Sequence, residues 1–401
     1  MAEDSGMAAG TALDRTAPSL SLMYSGSVLT GLGTMLLGPI LPLLAHRWGL
    51  TDAQGGTLLL AQFCGAFVGG VTVTPKLRRD LLLGFAAAGF GLLGFALAPG
   101  LWPACAAIAI GGAGIGRTIT VTNVIAGRRF AASRGNALMR LNFVWSFGAM
   151  LSPILAALLT PRFALEFLLE VFAFLFLFCA LAQALQTRGL ASESVVSSTS
   201  ERVKTEGMAT SAFLFFCGVM VLYGGLETCL SGWLTTFALR YGQTGGGNSL
   251  ALSQYTFVLL LMGLTGGRAV ASFILTKMHD ATLQRVGLGL AAVFTAALAT
   301  AHSAGAIAVF AVLLGLSLSP VFPATFSIFI GRGPSERQAG LMIAASAIGA
   351  AALPWLMGVV STRANSLQVA LALPFAAAIG ILVMSLSERR PASISSEASG
   401  V

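Results

Sequence analysis

Tyr223, Glu227, Ser231 and Thr235 recur every four residues inside an apolar stretch from 210 to 241, so on a helix they share one face. The string is Tyr223-Gly-Gly-Leu-Glu227-Thr-Cys-Leu-Ser231-Gly-Trp233. A carboxylate halfway along a spanning helix is costly against lipid, so this stripe must face a water-filled cavity or a partner. Two kinds of chemistry suit Glu227. It accepts hydrogen bonds from a polyol or carries a coupling proton, or else it is a structural acid that pairs with an arginine or caps backbone loosened at Gly224-Gly225.

Other polar groups sit in apolar surroundings. Arg117 lies fifteen residues past Trp102, roughly 22 Å along its helix at about 1.5 Å per residue. Thr120 and Asn123 follow it near one face. Arg117 clamps an anionic group or neutralises a carboxylate such as Glu227, and a structural interhelical ion pair is the competing account. Asn142 and Trp145 stand three apart; an amide and an aromatic face are what a pyranose ring needs, while packing or a lipid belt would equally use the tryptophan. Gln62, Trp233 and Tyr223 complete the solute-binding candidates, and Arg268, after Gly267, is placed with Glu227 and Arg117 in coupling or gating. Glu166, four residues after Arg162, suggests a local ion pair.

Positioning these groups requires a membrane bundle. The chain has 401 residues, 56% hydrophobic and only 9% charged, with a mean hydropathy of +0.85; soluble domains carry about 25% charged residues. Runs near 20 residues suit a hydrocarbon core of about 30 Å. Twelve occur, near 20–45, 54–75, 81–99, 102–126, 136–160, 163–186, 210–241, 249–277, 283–301, 304–330, 338–361 and 366–386. Lys and Arg favour the connections on the side of both termini about fourfold, which predicts cytoplasmic termini. The expected organisation is a tail 1–19, a six-helix half 20–186, a Ser-, Glu- and Thr-rich linker 187–209, a second half 210–386 and a tail 387–401.

Several function classes are excluded. The five cysteines lack metal or disulfide spacing, and His46, His279 and His302 stand at helix ends without ligand spacing, so no enzyme and no cofactor are expected. No phosphate-binding Gly-rich loop occurs. There is no aromatic-interleaved basic patch for nucleic acid, and the tails are too short for a sensor's output domain.

The halves also repeat. Gly148-Ala149-x-x-x-Pro153 matches Gly349-Ala350-x-x-x-Pro354 at an offset of 201, and Gly65 matches Gly266 at the same offset. Together with the twelve runs and the central linker, this resembles the major facilitator superfamily. The strings around Glu227, Ser319-Pro-Val-Phe-Pro323-Ala-Thr-Phe-Ser327, Leu141-Asn142-Phe-Val-Trp145-Ser-Phe-Gly148-Ala149 and Thr120-Val-Thr-Asn123 are similar to those of its fucose–proton symporter and bacterial sugar-transporter branch. Residues 28–45 lack that branch's helix 1 acid, and Arg117 stands close to its helix 4 Glu. The acidic motif between helices 2 and 3 is reduced to Lys76, Arg78 and Arg79 followed by Asp80.

The resemblance implies an all-α membrane protein of twelve transmembrane helices in two six-helix pseudo-symmetric halves, the major facilitator fold. It implies a monomeric secondary active or facilitative transporter in a bacterial inner membrane, carrying a small polar solute, a sugar, by alternating access. Proton coupling stays open. The alternative is an organic anion or drug held by Arg117; a non-transporting sensor is more distant.

Overall fold

A spanning segment can satisfy its backbone polar groups only internally, and the apolar runs accordingly fold as helices. The computed structural model describes residues 19–130, 134–188, 208–242, 248–274 and 279–387. The tail 1–19, the linker 187–209 and the tail 387–401 lie outside these apart from their edge residues. Fifteen helices are described: α1 Leu20–Met35, α2 Leu37–Trp48, α3 Asp52–Val71, α4 Leu77–Ala96, α5 Leu101–Arg129, α6 Arg134–Leu159, α7 Leu165–Arg188, α8 Thr210–Tyr241, α9 Asn248–Ile274, α10 Asp280–Ala299, α11 Ala304–Leu318, α12 Val321–Ile330, α13 Glu336–Ala364, α14 Leu367–Ala370 and α15 Ala372–Ser387. Among the described residues ten helical spans are long and apolar enough to cross a membrane, eleven with α1 and α2 taken together. Helix α9 occupies the place of the predicted span 249–277.

Polar residues set where helices start. Thr51 with Gln54 and Ser335 with Gln338 form capping boxes that open α3 and α13. Helices α1 and α2 meet at a bend of 42°, just before Pro39, which lacks an amide proton. Ser319-Pro320 separates α11 from α12. The glycine pair of α8 behaves differently: the helix runs unbroken through Gly224 and Gly225. Their lack of a side chain admits Ser346 and Leu353 of α13 rather than loosening the backbone.

The two sets of helices pack by one scheme. Helix α1 lies on α6 and α7, α3 and α4 lie on α5, and α4 lies on α7; likewise α8 lies on α13 and α15, α9 and α10 on α11, and α10 on α15. The repeat holds at atomic scale. Gly31 abuts the Trp145 carbonyl and Gly148 abuts the Val28 carbonyl; Gly224 abuts that of Ser346, and Gly349 that of Val221. These contacts map onto each other by 193 residues in α1/α8 and 201 in α6/α13. Gly38 and Ser231, also 193 apart, touch one another directly, so the pseudo-twofold axis passes between α2 and α8. One predicted match shifts. Gly65 packs on Ala109, whereas Gly266 has nothing among the described residues within 4 Å, and Gly263 against Val312 makes the equivalent contact. Large apolar side chains such as Phe90, Phe174 and Leu97 point outward, at more than 60% exposure, as a lipid-facing surface requires.

Candidate solute site

Glu227 is partly accessible although Tyr223 to Leu226 and Thr228 to Ala238 are buried around it. It interacts electrostatically with Arg268 of α9, and the Tyr223 hydroxyl lies close to both charged groups. The stripe therefore faces the bundle interior and its counter-charge is Arg268. Thr228, one residue off the stripe, returns its hydroxyl to the Gly224 carbonyl at 2.6 Å.

The opposite wall comes from the first half. Helix α1 ends at Met35, which leaves carbonyls without helical partners. The Gln62 amide nitrogen satisfies two of them, Gly33 at 3.2 Å and Thr34 at 3.0 Å. Its carbonyl oxygen is left buried without a hydrogen bond among the described residues, as is the Trp145 ring nitrogen, whereas the Tyr223 hydroxyl meets the Glu227 and Arg268 charges. Buried polar atoms in folded proteins are almost always partnered, so these two orphans invite a ligand or water. They share a depth. Taking the Gly38–Ser231 contact as reference, Glu227 is level with Thr34 and hence with Gln62. Tyr223 is level with Thr30, beside Gly31 and Trp145. The two levels are one helical turn apart, about 5.4 Å. Phe322 and Phe326 extend this wall: Phe322 lies 6.0 Å from the Tyr223 ring, and its plane is within 10° of that of Phe326.

Other candidates separate from this layer. Trp233 is 2% exposed and donates to the Pro354 carbonyl at 2.9 Å, so its polar atom is spent on the α8–α13 seam. Asn142 is exposed one turn from Trp145. Asn123 is exposed eleven residues past Gly112, which abuts the Gln62 backbone, roughly 16 Å from that level. Arg117 binds elsewhere. It donates to the Thr72 hydroxyl at 2.8 Å and carbonyl at 3.1 Å and pairs with Asp80 at 3.4 Å. The expectation that it balances Glu227 is thereby corrected. Asp80, 1% exposed, also accepts from the Thr74 amide at 2.5 Å and its hydroxyl at 2.8 Å, so the displaced acid still anchors the α3–α4 connection. Glu166 pairs with Arg47 rather than Arg162, which donates to the Leu158 carbonyl.

Arg117→Ala is expected to lower stability by about 1–3 kcal/mol, because Asp80 would stay buried without its cation. Solute affinity should be unchanged. Thermal unfolding with a binding titration checks this; lost binding at intact stability would return Arg117 to the solute site.

Residues 23–339 match the family model described as Major Facilitator Superfamily. No curated protein matches the chain in sequence. Among solved structures, a bacterial homolog of the human lysosomal transporter Spinster superposes with a TM-score of 0.68 at 13% identity, covering 92% of this chain and 94% of that one. The nucleoside transporter NupG gives 0.71 at 13% identity, with 91% and 99% covered. The transporter FucP in its outward conformation gives 0.59 at 17% identity, with 92% and 98% covered.

Proposed function

Since the chain belongs to the Major Facilitator Superfamily, a family of non-enzymatic carriers, we propose that it moves a small uncharged polar solute across a bacterial inner membrane, with both termini cytoplasmic. The observation that carries this reading is the layer of Gln62, Trp145, Tyr223 and Glu227, where buried atoms of the first half lack partners within a helical turn of the level of the Tyr223–Glu227–Arg268 cluster of the second. Its chemistry is mixed: one acceptor, one donor, a hydroxyl and a carboxylate whose charge Arg268 offsets. Such a layer suits a polyol or a sugar ring that both donates and accepts, with Trp145 and Phe322 presenting apolar faces. A net anion gains less, because the guanidinium already faces Glu227 and Arg117 is spent on Asp80.

Uptake into proteoliposomes tests it, with neutral sugars, nucleosides and organic acids, each with and without a pH gradient. Saturable uptake of a neutral solute supports the reading. Uptake of organic acids alone would replace it with an anion carrier, and acceleration by the gradient would make Glu227 the first candidate for the coupling proton.

A further inference from the structure

The repeat makes a departure from symmetry visible. Arg47 and Arg240 are equivalent, 193 residues apart near the ends of α2 and α8. Arg47 stays in its own half, on Glu166. Arg240 crosses to the other half and grips Asp52 with both terminal nitrogens at 2.8 Å. Ser361 of α13 donates to the same carboxylate at 2.5 Å, and the Ala53 amide donates to the Thr362 hydroxyl at 2.8 Å. The opening turn of α9, Asn248-Ser-Leu-Ala, carries no acid to repeat the arrangement. The cluster therefore stands on one side of the pseudo-twofold axis.

Beneath it the halves are zipped by close approaches. Gly56 lies under Trp355, Gly55 under the Trp233 ring, Gly358 against the Asp52 carbonyl, and Gly232 against Leu59. Helix α3 cannot part from α8 and α13 at this face without breaking the four hydrogen bonds above and uncovering Trp233. We infer that Asp52, Arg240, Ser361 and Thr362 form a one-sided lock that holds the face opposite residues 19 and 387 shut in the solute-free protein. A bidentate guanidinium–carboxylate pair fixes geometry as well as energy, and Asp52 in the first turn of α3 adds to the favourable end of that helix. Release of the lock is then a step every transport cycle must include.

The test needs no solute, so it fails separately from the solute assignment; it rests only on the halves moving apart. In a chain with the five native cysteines replaced, Leu59→Cys places a thiol below the lock, where Leu59 is 3% exposed. A membrane-impermeant maleimide should label it slowly in the parent. Labelling should be about fivefold faster in Asp52→Asn and Arg240→Gln, since Arg240 is 42% exposed and such a pair is worth up to about 1 kcal/mol, or about a factor of five. The charge-reversed Asp52→Arg/Arg240→Asp protein should label more slowly than either single variant. Unchanged labelling in both single variants overturns the lock, and a reversed pair as fast as they are overturns the ion pair as its basis. If Asp52→Asn does not fold, Arg240→Gln and Ser361→Ala carry the same comparison.

Discussion

A Glu227→Gln protein is expected to fold yet to transport at least about 30-fold more slowly. The amide keeps the size of the side chain but removes the charge that faces Arg268, and leaving one member of a charge pair inside the bundle uncompensated typically costs about 2–5 kcal/mol. At about 1.4 kcal/mol per factor of ten, the lower end of that range already exceeds an order of magnitude. The loss should appear in solute affinity as well as in rate, because the carboxylate stands level with Gln62 in the layer of unpartnered atoms. Tyr223→Phe removes one hydroxyl and no charge, so a smaller effect is expected, about tenfold. Arg268→Gln should resemble Glu227→Gln. Proteoliposome uptake and binding titrations on the three variants check the ranking. Full transport and affinity in Glu227→Gln would make the stripe structural and remove the proposed site.

The local part of this site was legible because helical spacing is local. Residues four apart must share a face, and a mid-membrane acid must turn inward, so Tyr223 and Glu227 could be placed before any packing was known. The Gly148 and Gly349 repeat was legible for the same reason: a short pattern at a fixed offset needs no tertiary knowledge. Partners were not legible. Trp233 meets Pro354 across 121 residues, Arg117 meets Asp80 across 37, and Arg240 meets Asp52 across 188. Spacing within a helix says which way a side chain points, but which helix waits there follows from packing of small residues along whole seams. Trp233 is therefore a solute-binding candidate by sequence while in the fold it supports a seam, and nothing local points to the Asp52–Arg240 pair. The glycine pair of α8 misled differently. Two glycines weaken a helix in water, but here the close approach of α13 uses the missing side chains and the helix continues.

That close approach carries the largest expected effect on stability. Gly148→Ala and Gly349→Ala each put a methyl group into a neighbouring backbone carbonyl, those of Val28 and Val221. Backbone cannot rotate aside as a flexible side chain can, so the helix pair must separate. Overpacking of this kind costs about 1–3 kcal/mol, and the separation forfeits the contacts along the rest of the seam as well. Gly266→Ala is the control. Among the described residues nothing lies within 4 Å of its would-be methyl group, and alanine in place of glycine within an open helix gains about 0.5–1 kcal/mol. The two kinds of substitution should thus move thermal unfolding in opposite directions: down for Gly148 and Gly349, level or up for Gly266. The symmetry sharpens the test, because Gly148 and Gly349 make the same contact in the two halves and their losses should be similar. They should also add in the double variant, since distant sites without shared partners combine nearly independently. A Gly349→Ala protein as stable as Gly266→Ala would mean that the seam between α8 and α13 is looser than its carbonyl contacts require.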